Sequence, residues 1–186
     1  MQNTTKRLFL GFSVKKTLEC QFFDMQQKLT LYINTEALAV LQSNMHITLG
    51  FLGQVKPSCI PALLTEVDAL EKPSFELVLS AISCWQKPQI ICLQGQAHTP
   101  LLTMASQVQL IAAKLGLHQN TYHYCPHLTL FRRASCMTLP QHPVIGLNDL
   151  LPVNVPVSQL HLYESYNTQS GVQYDILHSW PLVPDQ

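Results

Sequence analysis

Two tetrapeptides in this chain share one pattern, His46-Ile47-Thr48-Leu49 and His127-Leu128-Thr129-Leu130, and no other H-x-T tripeptide occurs. In an extended strand, residues i and i+2 project to one face, and i+1 and i+3 to the other. Each segment therefore presents an imidazole and a hydroxyl together while burying two aliphatic side chains. Chance produces two such motifs in fewer than about one chain in a hundred of this composition. A pair of imidazoles suits in-line displacement at phosphorus, where a base takes a proton from the nucleophile and an acid protonates the departing oxygen on the opposite side. Histidine fits both roles, because its ordinary pKa of about 6.5 lets one ring be neutral and the other charged near neutrality. The hydroxyls of Thr48 and Thr129 can donate to the non-bridging oxygens, where charge accumulates. This chemistry calls for no metal and no cofactor.

Beside the second motif stands Arg132-Arg133. Strict alternation puts Arg133 on the face of His127 and Thr129, and Arg132 on the other. A bend or an early end of the strand reverses that choice, and either guanidinium offers a bidentate pair to phosphate.

The motifs need supports, and the hydrophobic pattern supplies them. Arg7 to Ser13 reads as a buried strand, and Leu18, Phe22, Met25 and Leu29 mark one face of a helix from Thr17 to Leu29. Met45 to Leu52 is a strand carrying the first motif, and Pro57-Ser58 opens a helix with Ile60, Leu63, Leu64, Val67 and Leu70 on its stripe. Phe75, Leu77 and Leu79 alternate as in a strand, followed through a turn at Lys87-Pro88 by Gln89 to Gln94. A third helix takes Thr99 as N-cap, Pro100 in its first turn and Gly116 as C-cap, with Leu101, Met104, Ala105, Val108, Ala112 and Leu115 facing inward. His127 to Phe131 carries the second motif, Leu139 to Pro156 is a proline-punctuated connection, and Gln159–Tyr166 with Val172–Trp180 forms a closing hairpin. Helices and strands come in two rounds, each with one motif strand. The expectation is a two-lobed α+β fold with a sheet in each lobe, in one domain spanning residues 1–186.

Eleven Lys and Arg balance eleven Asp and Glu, so no global positive field holds a long nucleic acid. The longest apolar runs, such as Ile90 to Leu93, fall far short of the roughly 20 residues of a membrane span, and Met1 to Arg7 lacks a signal-peptide core, so a cytoplasmic location without membrane contact is expected. The six cysteines, Cys20, Cys59, Cys84, Cys92, Cys125 and Cys136, form no C-x-x-C pair and read as reduced, buried thiols.

At the paired motifs the sequence resembles the two-histidine phosphoesterase superfamily, in particular the LigT-like RNA 2',3'-cyclic phosphodiesterases formerly described as 2'-5' RNA ligases. The resemblance extends to Lys6-Arg7-Leu8-Phe9, to Asn44 through Gly53, to Pro126 through Arg132, and to Leu160 through Ser165 followed by Val172 to Trp180. It implies a bilobed LigT-like fold with a pseudo-two-fold axis and the histidines facing one another across a central groove. Carried onto this chain, His46 is the proton donor to the ribose O3' and His127 the acceptor that activates water, leaving a 2'-phosphomonoester, with 2'-5' ligation as accompanying chemistry. Thr48, Thr129 and Arg132 bind phosphate, the family's H-x-T-x-x-R pattern selecting Arg132 over Arg133. Asn44, Phe51 and Trp85 are candidate nucleotide contacts, and the implied partner is RNA with a 2',3'-cyclic phosphate end or a small cyclic nucleotide, with no obligate protein partner. The chain departs from the family in carrying few basic groups near the groove: Lys6, Arg7, Lys87, Arg132 and Arg133.

Three other readings compete. His123, Cys125 and His127 point one way in an extended segment and could ligate zinc. The groove could bind a nucleotide without turning it over, or the substrate could be a different phosphodiester. The remaining histidines, His98, His118, His142, His161 and His178, read as surface or satisfied structural groups.

Overall fold

The structure is a computed structural model and describes residues 4–135, 147–169 and 171–183. Among them are nine strands, β1 (Lys6–Ser13), β2 (Leu38–Ala39), β3 (His46–Val55), β4 (Glu76–Trp85), β5 (Ile90–Gly95), β6 (His127–Arg132), β7 (Val153–Pro156), β8 (Gln159–Thr168) and β9 (Gly171–Pro181), and three α-helices, α1 (Glu19–Leu29), α2 (Ile60–Asp68) and α3 (Thr99–Lys114). The strands run in the order β7-β4-β5-β6-β3-β1-β8-β9, with short β2 added onto β6. Every ladder is antiparallel.

The α+β class and the two groups of antiparallel strands are as expected. The two groups are halves of one sheet: β7-β4-β5-β6 meets β3-β1-β8-β9 at a seam where β3 and β6 share the single register pair Ile47 and Leu128. Both motif strands therefore lie at the centre of the molecule, side by side. Their alternate residues Ile47, Leu49, Leu128 and Leu130 are buried in a core shared with the helices.

Each helix buries most of the stripe its sequence foretells: Phe22, Met25 and Leu29 from α1, Leu63 and Val67 from α2, and Leu101, Met104, Ala105, Val108 and Ala112 from α3, whereas Ile60 and Leu64 are only half-buried and Leu18, Leu70 and Leu115 lie outside the helices. The α3 helix packs against β3 and α2, and α1 against β6. The α3–β3 approach is so close that a Cβ on Gly50 would stand 2.5 Å from Val108 Cγ1, which explains a glycine inside a buried strand.

Several boundaries differ from expectation. Single 3-10 turns at Lys16–Leu18 and Pro57–Cys59 precede α1 and α2. His98 is the extended N-cap residue of α3, so Thr99 lies inside the helix and makes no capping bond. The Leu139–Pro156 connection falls in part, with Cys136 and His142, outside the described residues; its end is strand β7. The cysteine reading needs correction as well: Cys20, Cys59, Cys92 and Cys125 are free, but of these Cys92 alone is buried and Cys20 is exposed, and Cys84 is disulfide-bonded. Among the described residues, no helix is long and apolar enough to cross a membrane.

Candidate active site

The seam assembles the site. With Ile47 paired to Leu128 in antiparallel register, the flanking positions set His46 across from Thr129 and Thr48 across from His127. The four side chains form a square whose diagonal joins the two imidazoles, a relation that in a regular ladder spans roughly 7–8 Å. All four side chains are half-buried, so the square opens to solvent from a sheet whose other face is core.

Both imidazoles are held in the same way. His46 Nδ1 donates to the main-chain oxygen of Asn44 at 2.7 Å, and His127 Nδ1 donates to that of Cys125 at 2.9 Å. A carbonyl only accepts, so Nδ1 carries the proton in each ring and Nε2 is left as the titrating atom. Asn44 is itself anchored, its side-chain amide donating to the Val172 carbonyl at 2.7 Å. His46 sits among three aromatic rings, with centroids of Phe9 at 4.8 Å, Tyr174 at 4.8 Å and Tyr163 at 5.9 Å. Burial, partly opposed by the Asn44 bond and reinforced by the charges of Arg132 and His127, lowers its pKa to about 4. Burial also lowers that of His127, against the effect of its bond to Cys125. Unligated, the site holds both rings neutral near pH 7.

A bulge sets which of Arg132 and Arg133 shares the face of the motif side chains. In β6, Thr129 is opposite Cys92 and Phe131 opposite Ile91, so Leu130 is an extra residue in the ladder. Leu130 and Phe131 are consequently both buried, and Arg132 returns to the half-buried side of His127 and Thr129. Arg133 has φ +52°, lies beyond the strand and is exposed. The carbonyl freed at the bulge is capped twice, by Val40 N–H and by the amide of buried Gln26, each at 2.9 Å. β3 repeats the device. Thr48 is opposite Gly11 and Gly50 opposite Leu10, leaving Leu49 as the extra residue. Phe51 thereby takes the place on β3 that Arg132 takes on β6. It carries the Arg7 guanidinium 4.9 Å above its ring and meets His118 edge-on.

A cavity of about 930 Å³ opens on the Thr48–His127 side of the square, with Trp85, Gln94, Tyr124 and Lys87 among its walls. The Trp85 ring lies 4.5 Å from that of His127, and the Tyr124 hydroxyl donates to the Thr48 carbonyl at 3.2 Å. His123 and Cys125 also line this cavity, yet no group of three or more His, Cys, Asp or Glu among the described residues is arranged to hold a metal. His161 lies apart from the square. It is buried between two serines, its ring nitrogens 3.1 Å from Ser13 Oγ and 2.8 Å from Ser179 Oγ. Tyr174, Phe9 and Gln26 escaped the sequence reading. Only Phe9 stood in a motif-like segment, and the others are brought to the site by pairing and packing.

Comparison with known proteins identifies the family and the fold. The model of the family described as LigT like phosphoesterase matches residues 21–92, which hold the first motif. An RNA 2',3'-cyclic phosphodiesterase of Escherichia coli is 30% identical over 147 residues, 77% of this chain and 79% of that protein. One from Aeropyrum pernix is 23% identical over 145 residues, covering 75% and 82% of the two chains. The crystal structure of E. coli LigT complexed with 3'-AMP superposes with a TM-score of 0.80 at 25% identity, over 96% of this chain and 98% of that one. With that level of identity and coverage, the chain belongs to the LigT-like phosphoesterases.

Proposed function

We propose that this protein opens RNA 2',3'-cyclic phosphate ends to 2'-phosphomonoesters, with His46 and His127 as its acid and base. The observation that carries this reading is the matched pair of Nδ1–carbonyl bonds, which turns two titrating Nε2 atoms onto one face of adjacent strands. His127 takes the proton of the attacking water as the P–O3' bond breaks, and His46 delivers a proton to O3'. Thr48, Thr129 and Arg132 hold the non-bridging oxygens, and the two threonine hydroxyls are open to do so, making no hydrogen bond among the described residues. The proton transfers are complete without a metal.

The free site needs one adjustment before it can act. His46 is depressed to about 4, so it must gain proton affinity on binding. An anionic phosphate supplies this, because it offsets the Arg132 charge and lies against the imidazole. In the adjoining cavity the base of the terminal nucleotide stacks on Trp85, and because Lys87 is the only lysine or arginine among the described residues of that wall, recognition is of a short end rather than a long RNA. A 5'-hydroxyl in place of water turns the same ring opening into a 2'–5' link.

The experiment is hydrolysis of a short RNA ending in 2',3'-cyclic phosphate, in EDTA, by wild type and by His127→Ala, with the product's phosphate position assigned. A 2'-phosphate made by wild type alone supports the proposal. Turnover that requires zinc returns the reading to the metal alternative, and no turnover at all redirects it to another phosphodiester or to binding alone.

A further inference from the structure

Tyr174 on β9 touches one residue from each motif region. Its hydroxyl accepts a hydrogen bond from Arg132 Nη2, and its ring meets His46 edge-on at 4.8 Å. It comes from a strand that pairs only with β8 in the sheet order, at the opposite edge from β7, whereas Arg132 comes from β6 across the seam. The ring is clamped by Phe9, 5.2 Å away and perpendicular, and the strand is tied to the site by the Asn44–Val172 bond two residues earlier. Tyr174 is thus a fixed post reaching over the groove.

The character of that post matters. Guanidinium groups near binding sites are commonly steered by carboxylates, which also neutralise them. Here the ion pairs among the described residues are Lys6–Glu164 and Lys114–Glu66, and Arg132 belongs to neither. A neutral phenol oxygen occupies one of its five N–H donors and leaves its charge uncompensated. We propose that Tyr174 is a positioning residue for Arg132, aiming the guanidinium at the phosphate while leaving that phosphate as its first anionic partner. This inference rests on reading the site as one for a phosphodiester.

The test is a double-mutant cycle on two readouts, binding of inorganic phosphate and kcat/KM on an RNA 2',3'-cyclic phosphate, for wild type, Tyr174→Phe, Arg132→Ala and the double variant. Phenylalanine keeps the ring against His46 and Phe9, and thermal melting checks that the fold is retained. Tyr174→Phe is expected to weaken phosphate binding about tenfold, the scale of one hydrogen bond to a charged group. In the Arg132→Ala background it should cost nothing further. The NMR titration of His46 should also move upward in Tyr174→Phe, as the released guanidinium swings away; a loss of packing alone does not predict this shift. An equal tenfold loss in both backgrounds overturns the inference, as does wild-type affinity in Tyr174→Phe. If wild type binds phosphate but does not open the cyclic end, the proposed function fails while the cycle still judges Tyr174. If it opens the cyclic end and the cycle is additive, only the positioning role fails.

Discussion

His46 and His127 stand diagonally across the seam from one another, each behind one member of the Ile47–Leu128 pair. Acid and base therefore sit on separate strands whose backbone relation is set by buried aliphatics. His46→Ala and His127→Ala should each lower kcat/KM by about a thousandfold or more, and the double variant should be little worse than either, because the two act as a unit. Thr48→Ala and Thr129→Ala should cost less, about tenfold to a hundredfold, since each removes one of several phosphate donors. Near-wild-type turnover in either histidine variant ends the acid–base assignment.

The pH dependence of activity follows from both imidazoles being depressed in the free protein. The profile of kcat/KM, which reports the free enzyme, should be bell-shaped with its maximum below pH ~6.5. The profile of kcat, which reports the complex, should lie at higher pH because bound phosphate raises His46. Coincident profiles centred above neutrality would count against this account.

Stability carries the same signature with a definite sign. The folded pKa of His46, about 4, lies below its unfolded value of about 6.5, so between these limits the unfolded chain binds more protons. The contribution is complete above pH ~6.5, is lost as pH falls toward ~4, and is on the order of 3 kcal/mol. His127 and His161, also lowered by burial, act in the same direction. Urea unfolding between pH ~7.5, about one unit above the ordinary histidine value, and pH about 4 should show a smaller decline in His46→Ala than in wild type. Equal declines would show that His46 is not the source.

The bulge separates two adjacent arginines. Arg132→Ala should raise KM and weaken phosphate binding by about tenfold or more, while Arg133→Ala stays within about twofold. Gln26→Leu, which removes one of the two bonds to the Leu130 carbonyl together with the bond to the Val40 carbonyl, should destabilise the fold by about 1–3 kcal/mol and carry part of the Arg132 phenotype. Phosphate titrations with urea melts measure both. A larger effect at Arg133 would mean that the strand does not bulge in solution.

The sequence was most informative where periodicity and burial coincide. The H-x-T strands, the α1 and α3 stripes and the closing hairpin all follow from it, since an apolar face must find a core. It was silent on β2, which is only two residues long, and on β7, an edge strand where Pro156 is tolerated because no ladder bond is needed on its outer side. The bulge at Leu130 could not be read either. A bulge is a property of a pair of strands, and the two-residue period of β6 alone puts Arg133, not Arg132, on the face of His127. Tyr174 had no local signal: its neighbours Gln173 and Asp175 are exposed, and its partners lie on β1, β3 and β6.

The matching bulges on β3 and β6 make the asymmetry between Phe51 and Arg132 meaningful. In a site with perfect two-fold symmetry, a bound phosphate could be turned end for end, exchanging the duties of the two histidines, and a cyclic ester could open at either ribose oxygen. With an aromatic ring at one of the equivalent positions and a cation at the other, the two orientations differ in energy. Together with the one-sided cavity beside Trp85, this pair would give the proposed substrate a single polarity and so select which ribose oxygen departs.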